Sequence, residues 1–432
     1  MQEVVPQKLH APSREPMLRV GIVLAEDKKS ELRFSVPLPY EAKAASSAVT
    51  LAPGSTYVVR VSGSALEVTS GADILLQAAA PLHIAPLKPQ PLAPKSGMTV
   101  EGIVAGRGFH WKKELTQTLP GSFEVHLSEG NLVLVNEINF ESYIACVISS
   151  EMGSACPAEF CKAQAVAARS WAFVFLSNKH SGTPFTICND DDCQRYQGTT
   201  HATTETIKAV LACKGKLLLT KEKNICPAYY SKSCGGHTED PAEIFGFHVT
   251  GLSSFADSNP KTPQKIYCSP SFVPEHDLKL YLGAVDEKGK YYRWTYLLTH
   301  DVLVENLKQK FGLSDVAEVL SLIPKKRSQG KRITQLQVGY RDQNGAKHEF
   351  LLPDQYDIRR ALHPSFLFSS AFELKNHREK DGRIGTIDLH GAGWGHGVGL
   401  CQIGALGMAL AGHSYIEILK HYFPACELVS AY

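Results

Sequence analysis

The 432-residue sequence has no apolar run long enough to span a bilayer and no excess of either charge. Its 45 Lys and Arg nearly balance 43 Asp and Glu, for a formal net charge of +2. It therefore lacks the basic stripe expected of a nucleic-acid partner or of a protein bound to an anionic membrane surface. The first residues, "MQEVVPQKLHAPSREPMLRV", carry no basic-then-apolar leader pattern, which fits a cytoplasmic protein or a chain that starts after a removed leader. No internal repeat is visible. A nucleotide fingerprint is also missing, although "GWGHGVGLCQIGALGMAL" (Gly393–Leu410) offers four alternating glycines. Each attempt at G-x-G-x-x-G fails at its third glycine, landing on Val398, Leu400 or Gln402. No Lys-Ser or Lys-Thr follows, and no acidic residue lies about 20 positions on.

What is present reads as an ordinary soluble globular protein, with 44% hydrophobic and 20% charged residues. The length suggests two or three domains at about 150 residues each. Eleven cysteines are an odd count, so at least one is unpaired within the chain. Cys146, Cys161, Cys213 and Cys401 lie in apolar or helical contexts and read as buried thiols acting as small hydrophobes.

Short β-branched runs over residues 18–86 predict a β-rich N-terminal domain, behind an arm at 1–17. "PLHIAPLKPQPLAPKSG" carries five prolines and predicts an extended boundary near residue 97. A core over 98–268 begins with a second β set and continues into helices. In "SACPAEFCKAQAVAARSWAFVFLSNK", Pro157 suits a first helical position and Glu159 suits the positive end of the helix dipole. Phe160, Ala163, Ala167, Trp171 and Val174 recur at helical spacing and predict one buried face. Residues 269–382 alternate strands with a helix, as an inserted α/β subdomain. Residues 383–432 close the core, with Ser414 a cap for the last helix. Mixed, non-alternating elements predict an α+β fold.

Three segments combine polar groups with glycine in apolar surroundings. In "SSEMG", Glu151 is flanked by Cys146, Val147, Ile148 and Met152, which would desolvate its carboxylate and raise its pKa. Such a group can donate a proton and later accept one; the plainer reading is a helix cap or an arginine partner. In "YYSKSCGGHTED", the side chains of Ser231, Ser233, His237 and Thr238 could bind sugar hydroxyls around Gly235 and Gly236, or simply form a polar hairpin loop. In the opening stretch, His396 sits between glycines that permit close approach to a ligand, although a lone histidine is more often structural. Cys188 and Cys193, in "ICNDDDCQRYQG", fit a zinc pair, a disulfide or two free thiols equally well. His180, His201 or His237 could complete a metal site.

Taken together, these segments resemble the stage II sporulation protein D family (SpoIID/LytB). "ESYIACVISSEMGSACPAEFCKAQAVAARSWAF" is similar to its tyrosine helix, S-E-M and K-A-Q-A-V-A-A-R pattern, and "YYSKSCGGHTED" to its S-x-S-G-G-x-T-E segment. "GWGHGVGLCQIGALGMALAGHSYIEILKHYFP" resembles its G-x-G-H-G-V-G-M-S-Q-x-G-A ending. The resemblance spans roughly 98–425. It implies a lytic transglycosylase cleaving between N-acetylmuramic acid and N-acetylglucosamine on peptidoglycan stripped of stem peptides, with Glu151 as its single acid/base. It also implies a glycan cleft to which Ser149, Ser231, Ser233, Gly235, Gly236, His237, Thr238, His396, Gly397 and Gln402 contribute. The chemistry itself needs no cofactor, while the zinc site of some members falls on Cys188 and Cys193. The sequence departs from the pattern at Gly153, at Cys234 (usually glycine or serine) and at Leu400-Cys401 (usually Met-Ser).

Because the family includes amidase enhancers, a second expectation is a non-catalytic glycan-binding protein that stimulates a cell-wall amidase. A third is a cysteine hydrolase using Cys401 with His396, disfavoured because Cys401 leads into an apolar helix. Action on peptidoglycan requires an extracytoplasmic location, although no leader is visible.

Overall fold

The computed structural model describes residues 12–108, 112–153, 155–176, 179–259, 261–282, 290–380 and 382–432. Most of the expected N-terminal arm therefore lies outside the described residues. The fold is α+β, as its mixed pattern predicts.

Two sheets form the N-terminal half. One runs in the order Ile187–Cys188, Met17–Val23, Asn131–Asn139, Ser122–Ser128, Leu82–Pro86, Tyr40–Ala44, Ser47–Leu51. The other runs Lys113–Leu119, Met98–Ala105, Glu31–Ser35, Thr56–Ser62, Ala65–Ser70, Asp73–Ala78. Alternation sets their faces: Leu32 and Phe34 point inward from one strand, Tyr57 and Val59 from its neighbour. Both sheets contribute to one hydrophobic cluster. The expected boundary near residue 97 does not separate two units. Phe34 pairs with Val100 and Val125 with Leu82, so strands from either side of the proline segment share both sheets.

Helix α1 (Phe140–Glu151) leaves the strand Asn131–Asn139 directly, and α2 (Ala158–Phe175) follows with Pro157 as its N-cap. The five residues expected to form the buried face of α2 are buried, but so are Gln164, Arg169 and Ser170 on its other sides. The helix is a central rod rather than an amphipathic surface helix. Its buried Arg169 is matched by Glu141 of α1, with Nε–Oε1 and Nη2–Oε2 contacts of 2.9 and 2.7 Å. The last helix, Tyr415–Tyr422, starts at the expected Ser414, which forms a reciprocal capping box with Glu417.

A second hydrophobic cluster, from Trp294 to Leu389, belongs to the inserted region. It holds two three-stranded sheets, with the helices His300–Phe311 and Gln355–Ala361 packed on them. The strand Ile384–Ala392, expected to open the C-terminal segment, pairs here with Arg293–Thr299 and Phe372–Arg378. The insertion thus ends near Ala392, where the chain turns into its glycine-rich segment.

Candidate functional site

The glycine-rich segment returns to lie beside the segment after Tyr229. Tyr230 pairs with Leu400 and Ser231 with Cys401 in parallel, Ser233 bridges Trp394, and Glu239 bridges Val398. Two glycines show what this contact demands. Gly399 has φ +73°, and a Cβ there would lie 2.1 Å from the Tyr229 carbonyl oxygen. At Gly397, φ +80°, a Cβ would fall 2.6 Å from the guanidinium carbon of Arg332. The glycines admit neighbouring backbone and a cation, consistent with their freedom at positive φ.

Glu151 ends α1 and meets the first of these segments at Tyr230 and Lys232. The Tyr230 hydroxyl donates to its Oε1 at 3.1 Å, and the Arg195 backbone N–H donates to the same oxygen at 3.2 Å. Lys232 Nζ donates to the Glu151 carbonyl at 2.8 Å. Among the described residues, Oε2 has no hydrogen-bond partner. The residue is only 9% exposed. Burial pushes its pKa up, opposed by Arg195, reinforced by Asp191 and opposed again by Lys232. A carboxylate at a helix C-terminus also faces the negative end of the dipole, which acts in the same direction. Sequence reasoning anticipated the desolvation but missed Arg195, Tyr230 and Lys232. The alternation of Tyr230 and Lys232 with Tyr229 and Ser231 was the available signal, since period-two spacing sends alternate side chains to one side.

The other polar residues divide into two groups. The Ser149 hydroxyl donates to the Ala145 carbonyl, and Ser231 Oγ accepts the Gly397 N–H at 3.1 Å. Ser233 is fully buried and accepts from Gly235. Thr238 is fully buried and bonded to Ser253 and Phe255. Each of these hydroxyls makes at least one hydrogen bond within the fold and so helps to shape the walls. His237 remains partly exposed, its Nδ1 against the Thr238 carbonyl and Ser254. Gly236 is partly exposed and Gly235 is buried against the Gly393 backbone. Gln402 is 2% exposed, and its Nε2 has no hydrogen-bond partner among the described residues.

His396 is held as a neutral ring. Its Nδ1 accepts the Val398 N–H at 3.0 Å. Burial, with Arg332 and Arg359 nearby, pushes its pKa down to about 3. Arg332 comes from the insertion and is fully buried with Glu239, Nη1 to Oε1 at 3.1 Å. Gly330 also donates its N–H to Glu239 Oε2, at 3.2 Å. Nothing local in the sequence pointed to Arg332. The cysteine-hydrolase expectation is not supported by this geometry. Cys401 does stand at a helix start, as N-cap of Gln402–Leu410, but its sulfur clusters with Cys234, Asp257 and Cys268.

Cys188 and Cys193 lie together with His180 and Asp192, their ligand atoms within 4.8 Å of one another. His180 Nε2 is 3.2 Å from Cys193 Sγ, so of the three histidines considered, His180 is the one beside the pair. The hydrogen bond with Cys193 pulls the Cys188 thiol down to about 5, with His180 adding to it. This donor set fits a tetrahedral zinc centre. The same loop supplies Arg195 to Glu151, and Asp191 is paired with Arg195 at 3.0 Å. A surface cavity of about 520 Å³ lies elsewhere, on the six-stranded sheet between Lys29, Arg33, Glu101 and Glu114.

The chain matches two families, one described as stage II sporulation protein (SpoIID) over residues 128–219, the other as a domain of unknown function (DUF8618) over 256–399. The first match spans α1, α2 and the Cys188 loop; the second holds most of the insertion and the glycine-rich turn. An uncharacterized protein of Brachyspira hyodysenteriae is 29% identical over 298 residues, covering 69% of this chain and 68% of the relative. Stage II sporulation protein D of Bacillus amyloliquefaciens is 26% identical over 312 residues, covering 69% and 76%. The amidase enhancer of Bacillus subtilis is 29% identical over 301 residues, covering 66% of this chain and 40% of that longer protein. The chain thus carries a match to the stage II sporulation protein family over residues 128–219 and is similar over about two thirds of its length to proteins named for that family and to an amidase enhancer.

Proposed function

We propose that this protein acts on the cell wall as a peptidoglycan lytic transglycosylase, with Glu151 as its acid/base and glycan strands lacking stem peptides as substrate. The observation that carries the reading is a desolvated carboxylate whose Oε1 takes both hydrogen bonds. When Glu151 is protonated, the proton sits on Oε2, the oxygen with no partner among the described residues. Glu151 donates that proton to the glycosidic oxygen as the bond to the muramic C1 breaks. The C6 hydroxyl oxygen of the same sugar bonds to C1, and its proton returns to Glu151. The substrate supplies its own nucleophile, so the second carboxylate of ordinary glycosidases is not needed. Gly236, His237 and His396 are the partly exposed members of the cleft wall.

The product chemistry requires an extracytoplasmic location. No described helix is long and apolar enough to cross a membrane. His180, Cys188, Asp192 and Cys193 would hold a zinc ion as a closed structural set, fixing the loop that places the Arg195 N–H on Glu151. A second reading, stimulation of a cell-wall amidase without cleavage, is favoured by the similarity to a protein named amidase enhancer.

The test is mass spectrometry of products from denuded glycan. Wild-type protein should release 1,6-anhydro sugars, and Glu151→Gln should lose at least about 100-fold of that rate. An unchanged rate in the variant removes Glu151 from the chemistry. Wild-type protein that binds glycan and stimulates an amidase, yet yields no anhydro product, establishes the second reading instead.

A further inference from the structure

We propose a second, structural zinc site formed by Cys234, Asp257, Cys268 and Cys401, separate from the Cys188 cluster and behind the two paired motif segments. All four residues are at most 3% exposed, and their ligand atoms lie within 4.8 Å of one another. Cys234 Sγ is 3.7 Å from Cys268 Sγ and 3.2 Å from Asp257 Oδ2. Thiolates about 2.3 Å from a tetrahedral zinc stand about 3.8 Å apart, and a thiolate and a carboxylate oxygen about 3.5 Å apart. The cluster already has nearly that spacing, and three sulfurs with one oxygen make a closed set of the kind zinc uses structurally.

The surroundings are arranged for charged sulfur. Cys401 Sγ accepts backbone N–H groups from Cys234 and Gly404 at 3.2 and 3.3 Å, and Cys234 Sγ accepts one from Gly236 at 3.4 Å. A neutral thiol is a weak acceptor, whereas a thiolate ligand gains from each such dipole. Cys401 also caps the helix Gln402–Leu410, whose positive end favours the thiolate. Asp257 is oriented by the His421 ring and the Tyr422 hydroxyl, at 3.0 and 2.8 Å from Oδ1. That arrangement leaves Oδ2 toward the sulfurs, in the outer-shell pattern that aims a ligating carboxylate. Gly404 keeps the space open, since a Cβ there would lie 2.2 Å from the Tyr422 oxygen and 2.5 Å from Asp257 Oδ2.

A disulfide accounts for the cluster less well, because it would join two sulfurs and leave the third cysteine and the carboxylate buried beside it. Two of the ligands, Cys234 and Cys401, are positions where the chain departs from the family pattern. Each lies in one of the two paired segments, so a metal there would tie those segments together and, through Asp257, to the last helix. The site does not depend on Glu151 being an acid.

Elemental analysis of the purified full chain tests this. Wild-type protein should carry one zinc more than a Cys268→Ser/Cys401→Ser variant, and a Cys188→Ser/Cys193→Ser variant should keep that zinc. If the first variant fails to fold, cobalt exchanged into the Cys188→Ser/Cys193→Ser protein should give the intense thiolate-to-metal charge-transfer bands of a three-sulfur site. Equal zinc in the wild-type and Cys268→Ser/Cys401→Ser proteins, no cobalt–thiolate bands, or a native Cys234–Cys268 disulfide would each overturn the assignment. Loss of glycan cleavage with this zinc retained would bear on Glu151 alone.

Discussion

Changing Arg332 to Met tests whether the insertion holds the candidate site in place. Arg332 and Glu239 are both fully buried, their side chains meet at 3.1 Å, and among the described residues the Glu239 carboxylate otherwise receives only the Gly330 N–H. The contacts from Arg332 to the Cys234 and Gly395 carbonyls, at 3.4 to 3.5 Å, sit at the weak limit of hydrogen bonding. The ion pair therefore dominates, and removing one partner of a buried pair costs roughly 3–5 kcal/mol. Glu239 is hydrogen-bonded through its backbone to Gly397, so the loss should appear as local opening of the glycine-rich segment. An opening cost lowered by about 3 kcal/mol accelerates amide exchange roughly 150-fold. Hydrogen-exchange mass spectrometry of peptides covering 393–399 would measure it. The double variant Arg332→Met/Glu239→Gln should recover much of the protection, because removing both charges leaves no orphan. Losses that simply add in the double variant would refute the pairing argument.

Other predictions concern protonation. Because burial raises the Glu151 pKa, the folded state holds this proton more tightly than the unfolded chain does. Stability from this group is complete below the ordinary carboxylate range and is lost as pH rises through the raised value. Glu151→Gln should therefore melt at or above the wild-type temperature at neutral pH, and a lower melting point there would contradict a desolvated carboxylate. Tyr230→Phe removes a hydrogen bond to the charged form, worth roughly 1.5–3 kcal/mol, so the alkaline limb of the cleavage profile should move to higher pH. A limb that stays in place would show that Tyr230 does not act on Glu151. The His396 ring should remain neutral from pH 5 to 8 in imidazole nitrogen NMR, since its pKa is pushed down to about 3. Titration near the usual histidine value, about 6.5, would refute that.

What could be read from the sequence was mostly local. The capping box at Ser414 and Glu417 and the apolar flanks of Glu151 lie within a few residues of the groups they affect. Local patterning also indicated helix α2, yet it underestimated the burial there. Arg169 reads as a break in an apolar face until Glu141, 28 residues earlier, neutralises it. The glycines near His396 were open to two explanations, approach to sugar or to a neighbouring strand. Only the return of the chain beside Tyr229 shows backbone and Arg332 filling the space. The expected boundary near 97 failed for a similar reason. Proline marks an extended segment, but strand pairing across it decides whether two stretches form one unit.

The insertion best illustrates what sequence motifs leave out. Its hydrophobic cluster, which includes Trp294, Leu336 and Ile387, is separate from the one that holds the rest of the chain. Yet the turn at 328–332 reaches Glu239, and the strand Ile384–Ala392 delivers the chain into the glycine-rich segment. Arg332 and Arg359, both from this insertion, help keep His396 neutral. A neutral ring can accept the Val398 N–H and fix the turn, whereas a protonated ring would lose that acceptor. The insertion therefore contributes charge as well as shape to the glycine-rich segment. A change confined to the 328–332 turn should alter the glycine-rich segment before it disturbs either hydrophobic core.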